Sequence, residues 1–163
     1  MNSKIILKFC QIITDVVFAV SLALIISYSF FTPCLQHGFS MMPYINDSNV
    51  VLVNRLYRKL FKLKRKDVIV FYVDGQESIR RIYGLPGETI TISSGNFYID
   101  DIQMQDFDLK NSLSSNISQN VKLAADEYYV LGDSLDNSMD SRSPDIGNIK
   151  RDNIIGKVWF IIK

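Results

Sequence analysis

The sequence predicts a mainly β, antiparallel domain behind one N-terminal transmembrane helix. Three observations lead there. Residues 12–31 are almost wholly apolar and long enough, as a helix, to cross a bilayer. Beyond them the apolar residues alternate or come in short runs closed by Gly, Pro, Asp or Asn. Helical periodicity is absent outside that first run, apart from a possible turn at 55–61.

Taken in order, residues 1–11 read as a cytoplasmic N-terminus, because Lys4 and Lys8 precede the apolar run and positive charge favours the inner face. Residues 12–31 read as a retained anchor. A cleaved signal peptide has a shorter apolar core and small residues at its cleavage site, whereas this run ends in Tyr28-Ser29-Phe30-Phe31-Thr32-Pro33. Asp15 lies in the first turn, where it can reach the interface. Residues 34–163 then form one extracytoplasmic domain, and the protein is expected in the cell membrane as a single-pass chain.

The strands follow. Residues 50–53 and 67–73 are continuous apolar runs, as buried strands require, and Asp74-Gly75 closes the second. Residues 78–83 form a third, stopped by Gly84-Leu85-Pro86-Gly87. Residues 88–92 and 97–99 flank Ser94-Gly95-Asn96 and read as a hairpin. Residues 127–131 and 156–162 complete the set, and the polar stretch 111–120 reads as an inserted surface loop.

Composition narrows the function. A net charge of +1 argues against general nucleic-acid binding. Cys10 and Cys34 would sit at opposite membrane faces and cannot pair within one chain. His37 is the single histidine, so neither a zinc site nor any other metal or cofactor is expected. Residues 55–66 hold seven basic side chains and no acid, interleaved with leucines and Phe61. They form either a solvated edge or a contact for anionic lipid headgroups. Asn46-Asp47-Ser48 and Asn116-Ile117-Ser118 match a glycosylation sequon of little weight here.

Four segments carry chemistry. Gly38-Phe39-Ser40-Met41-Met42-Pro43 resembles the Ser-Met-x-Pro box of type I signal peptidases. Lys66-Asp67-Val68-Ile69-Val70-Phe71 is similar to their next box. Arg80-Arg81-Ile82-Tyr83-Gly84-Leu85-Pro86-Gly87-Glu88 resembles the box ending Gly-Leu-Pro-Gly-Asp. Gly132-Asp133-Ser134-Leu135-Asp136-Asn137-Ser138-Met139-Asp140-Ser141-Arg142 resembles the last, Gly-Asp-Asn followed by Ser-x-Asp-Ser-Arg. Four boxes in order after one anchor resemble the small Gram-positive members of that family.

The resemblance implies an antiparallel β catalytic domain of the signal peptidase I fold. It implies a Ser/Lys dyad cutting exported preproteins after small residues, with the chain extended beside a strand edge. Ser40 falls on the nucleophile, and its backbone N–H on an oxyanion donor. Gly38 falls where some relatives carry a serine that adds a second donor. Ser138 falls on the serine that orients the base. Asp140 and Arg142 match a pair that shapes the site, as catalytic support or as a plain ion pair.

One departure decides the mechanism. The family's base lysine stands four residues before the Gly of Gly-Leu-Pro-Gly, and that position here is Arg80. Arginine has a pKa above about 12, and bringing it near 8 would cost roughly 6 kcal/mol. No lysine lies between Lys66 and Lys110. Ser134 replaces the Asn of Gly-Asp-Asn; Glu88 for Asp and Tyr44 for Thr are milder changes. His37, Asp136, Asp140 and Asp145 are the remaining candidates for a base. The expectation is therefore a degenerate member, with Ser40 kept and the base lost. By the same resemblance such proteins bind exported chains and assist surface proteins such as pilus components. The alternative is an active serine endopeptidase that removes signal peptides.

Overall fold

The computed structural model describes residues 3–108 and 117–162. The chain divides into two compact units, Met1–Thr32 and Pro33–Lys163. The first is essentially helix α1 (Ser3–Phe30), which begins before the apolar run and ends one residue short of its predicted end. Its segment Ile6–Ile25 is long and apolar enough to cross a membrane, with none of that window buried inside the protein.

The rest is antiparallel β. In chain order the strands are β1 (Phe31–Leu35), β2 (Val50–Asn54), β3 (Val68–Val73), β4 (Gln76–Gly84), β5 (Thr89–Ser93), β6 (Asn96–Ile99), β7 (Ile102–Asp108), β8 (Gln119–Lys122), β9 (Glu127–Leu131), β10 (Ile149–Lys150) and β11 (Ile154–Ile162). A short helix, α2 (Tyr57–Leu60), occupies the turn suspected at 55–61. Seven strands form one sheet in the order β1-β2-β11-β3-β4-β9-β10, and four form a second in the order β7-β6-β5-β8. β1, β7 and β10 are strands the sequence patterning did not reveal. β8 begins inside the expected 111–120 loop, of which residues 111–116 lie outside the described residues, as does Asn116 of the second sequon.

Strand β3 shows why its sequence is a continuous apolar run. Val68 and Val70 pack into one buried cluster with Met41, Ile45, Val51, Val53 and Ile79. Ile69 and Phe71 point to the opposite face and join Ile82, Tyr128, Val130 and Ile154. Both faces are covered, so period-two alternation disappears. Strand β9 is shared in the same way: Tyr128 and Val130 serve that cluster, while Tyr129 and Leu131 join Ile90, Ile92, Phe97 and Leu123 between the sheets.

Two consequences position the site. Met41 and Ile45 are fully buried and pin the segment that carries Ser40 against the sheet. Strand β4 pairs with β3 over residues 76–81, but β9 joins its other side only from Arg81 onward. Residues 76–80 of β4 therefore keep one open edge.

Candidate active site

Ser40 and Arg80, forty residues apart in sequence, meet in the structure. Arg80 Nη1 donates to Ser40 Oγ at 2.9 Å. Both residues are buried, at 5% and 8% exposure. Arg80 reaches this position because β4 alternates. Arg81 turns to the other face and forms a two-pronged pair with Asp133, at 2.7 and 2.6 Å, which raises its pKa.

Arg80 has no such partner. Nη1 also donates to the Ile79 carbonyl at 2.6 Å. Nε and Nη2 both donate to the Met139 carbonyl, at 2.9 and 2.7 Å. Among the described residues no carboxylate stands within ion-pair distance of it. Burial pulls its pKa down from the ordinary arginine value; the nearby Asp140 charge works against that shift and Arg142 adds to it.

The second neighbour of the Ser40 hydroxyl is Gln36, whose Nε2 lies 3.4 Å from Oγ. The same Nε2 donates to the carbonyls of His37 and Gly38, at 3.0 and 3.2 Å, which fixes it as the donor end of the amide. Both side chains that contact Ser40 Oγ therefore give protons, and none receives one. His37, Asp136, Asp140 and Asp145 make no hydrogen bond to Ser40 Oγ. His37 and Asp145 are exposed on the surface, and Asp140 is committed elsewhere.

Asp140 and Arg142 form a buried bidentate pair, Nε–Oδ1 and Nη2–Oδ2 both at 2.8 Å. Asp140 also accepts the backbone N–H of Gly132 at 3.0 Å and of Arg142 at 3.2 Å. Arg142 Nη2 closes the loop on the Leu135 carbonyl at 2.6 Å. The pair thus knots the 132–142 loop into one shape. That loop clamps the serine segment, because the Ser134 N–H donates to the Ser40 carbonyl at 3.0 Å.

Ser138 lies in the same knot. A Cβ on Gly132 would come within 2.2 Å of Ser138 Oγ and 2.5 Å of the Ser40 carbonyl oxygen, so only glycine fits there. Ser138 Oγ is buried and, among the described residues, has no hydrogen-bond partner. Gly38 sits at φ 78° with its N–H on Asp47 Oδ1 at 2.7 Å. Its left-handed backbone would strain the serine that some relatives carry there.

Sequence reasoning missed Gln36, a buried polar residue two positions before the first box, and the carbonyl of Met139. Gln36 lies just past the end of β1, where a polar residue carries no particular signal. Nothing in side-chain identity marks a backbone carbonyl.

A cavity of about 630 Å³ opens beside the dyad, lined by residues 35–37 on one wall and 76–80 of β4 on the other. It runs from exposed Gln76 and Glu77 to buried Arg80, and two of its lining residues, Gln36 and Arg80, are those that hold Ser40 Oγ.

Comparison with known proteins agrees with the box resemblance. The family model described as "Signal peptidase, peptidase S26" matches residues 9–163. Signal peptidase I T of Bacillus subtilis is 32% identical over 159 residues, covering 90% of this chain and 81% of the relative. A signal peptidase I of Bacillus amyloliquefaciens is 30% identical over 157 residues, with the same two coverages. A crystal structure of a signal peptidase I from Enterococcus faecalis shares 28% identity, covers 60% of this chain and 97% of its own, and superposes with a TM-score of 0.47. With the boxes in order and the family model spanning nearly its whole length, this chain belongs to the type I signal peptidase family.

Proposed function

We propose that this protein binds exported chains at the membrane surface in extended form and does not cleave them, or cleaves them very slowly. The observation that carries the reading is the environment of Ser40 Oγ: two donors, Arg80 and Gln36, and, among the described residues, no group that can take its proton. A serine nucleophile needs such an acceptor. A neutral lysine could serve; a guanidinium cannot.

The open edge of β4 and the facing segment 35–37 offer main-chain hydrogen bonds to an inserted strand, while the cavity between them takes side chains. Exported preproteins are the ligands the family suggests, and surface-protein subunits such as pilus components are a client class for a non-cleaving member. Helix α1 would anchor the chain in the cell membrane with residues 1–11 inside and the β domain outside. The 55–66 segment could add lipid contacts through Lys59 and Lys62 beside exposed Leu60 and Phe61. Arg58 and Arg65 are already committed, to the carbonyls of Arg151 and Asp152 and to Glu88 respectively.

A second reading, an active endopeptidase, is favoured by one observation. Ser40 is retained and lies against a cation, which lowers the pKa of an adjacent acid by about 1–3 units. That helps an alkoxide but leaves its proton without a destination. Full-length protein in detergent, mixed with an exported preprotein, separates the two. The binding reading expects co-purification of uncut chain, unchanged in Ser40→Ala. Rapid release of a shortened chain, lost in Ser40→Ala, would overturn it.

A further inference from the structure

Among the described residues, Arg80 is a buried cation without a counter-ion. Its partners are all neutral: a hydroxyl and two carbonyls. The acids nearest the site are spent, Asp140 on Arg142 and Asp133 on Arg81. Burying a charge without an opposite charge is costly, and structures normally avoid it. Four of the five guanidinium N–H groups are used, so one on Nη2 is left. The Ser40 hydroxyl accepts from Arg80 and Gln36, which leaves its own proton to give. The Ser40 backbone N–H makes no hydrogen bond among the described residues. Donors converge here, and the cavity beside them is open.

The cavity is also polar along its length in one sense. Glu77, near the open end, is three residues from Arg80 along β4, about 10 Å away at strand rise. Negative charge is therefore disfavoured at the mouth and favoured at the buried end. An extended peptide that lies along the β4 edge and stops at Ser40 would place its terminus at the cation.

We propose that the Arg80 end of this cavity, beside Ser40, is a receptor for the free C-terminal carboxylate of an extended peptide, and that it reads a chain end in preference to a chain passing through. The proposal rests on the reading of the cavity as a groove for extended chains and deepens it. The carboxylate would accept from the remaining Arg80 Nη2 N–H and from the Ser40 hydroxyl. Charge-assisted bonds of this kind are about twice as strong as neutral ones. A peptide ended by cleavage carries this group; the uncut chain carries a neutral amide there.

Full-length protein in detergent micelles, titrated into three fluorescein-labelled peptides, tests it by anisotropy. The peptides share one apolar sequence ending in alanine: one as the free acid, one as the C-terminal amide, and one continued beyond the alanine. The expected result is at least roughly tenfold tighter binding of the acid than of either other peptide, about 1.4 kcal/mol. Arg80→Met should remove that preference, bringing the acid and the amide to the same affinity. Equal binding of all three by the wild-type protein would overturn the carboxylate receptor and leave the groove standing. Failure of all three to bind would overturn both. The acid–amide comparison needs no variant, so a poorly folding Arg80→Met cannot rescue the proposal.

Discussion

Arg80 Nη1 donates to Ser40 Oγ across 2.9 Å, so the position expected to receive the serine proton instead gives one. A permanently protonated guanidinium polarises the hydroxyl and cannot relieve it of its hydrogen. Among the described residues Ser138 Oγ is buried and unpartnered, while the Arg80 fork is satisfied by the Met139 carbonyl.

The Asp140–Arg142 pair should be structural before it is anything else. Asp140→Ala removes the acceptor of the Gly132 N–H and leaves the Arg142 guanidinium buried without its carboxylate. Breaking a buried pair from one side costs about 3–5 kcal/mol. Urea denaturation of the full-length protein in detergent should show a loss of that size. A change below about 1 kcal/mol would mean that the 132–142 loop is held by something else.

Gly132→Ala should destabilise by about 1–3 kcal/mol through overpacking. Its new methyl meets Ser138 Oγ and Cβ and the Ser40 carbonyl oxygen. Adding Ser138→Ala removes only the first contact, so the double variant should recover little. Full recovery of the melting temperature in the double variant would place the clash on the hydroxyl alone.

Cys34 should resist alkylation in the folded protein. Burial pushes its thiol up to about 12, with Glu77 adding to the shift, so almost no thiolate exists at pH 8. Because the folded value is raised, the associated stability is present below the unfolded thiol pKa and fades only as pH rises toward 12. Mass spectrometry after iodoacetamide treatment at pH 8 should find Cys34 modified only once urea is added. Rapid native labelling would show that the Cys34 environment opens readily.

Much of this was legible beforehand. The apolar runs at 50–53 and 67–73 and the hairpin about Ser94-Gly95-Asn96 mark strands because turn residues and burial act locally. Strands β7 and β10 were not legible. β7 carries Gln103, Gln105 and Asp106 among its apolar residues, and β10 is two residues long, so tertiary pairing decides both. The Ser40–Arg80 meeting followed from box order alone. The Gln36 donor, the Met139 carbonyl and the missing counter-ion did not, because each depends on where β4 and the 132–142 loop converge.

The central claim is that Arg80 silences Ser40. Cleavage of a preprotein by full-length wild-type, Arg80→Lys and Arg80→Lys/Ser40→Ala proteins, followed across pH, tests it most directly. A lysine at this buried position should have its pKa lowered from about 10.4, and only its neutral form can take the serine proton. The rate of Arg80→Lys should therefore rise with pH and level off once the amine is neutral, exceeding the wild type by about 10²-fold or more. Loss of Ser40 should abolish it. Brisk wild-type cleavage that vanishes in Ser40→Ala, with no gain in Arg80→Lys, would contradict the claim.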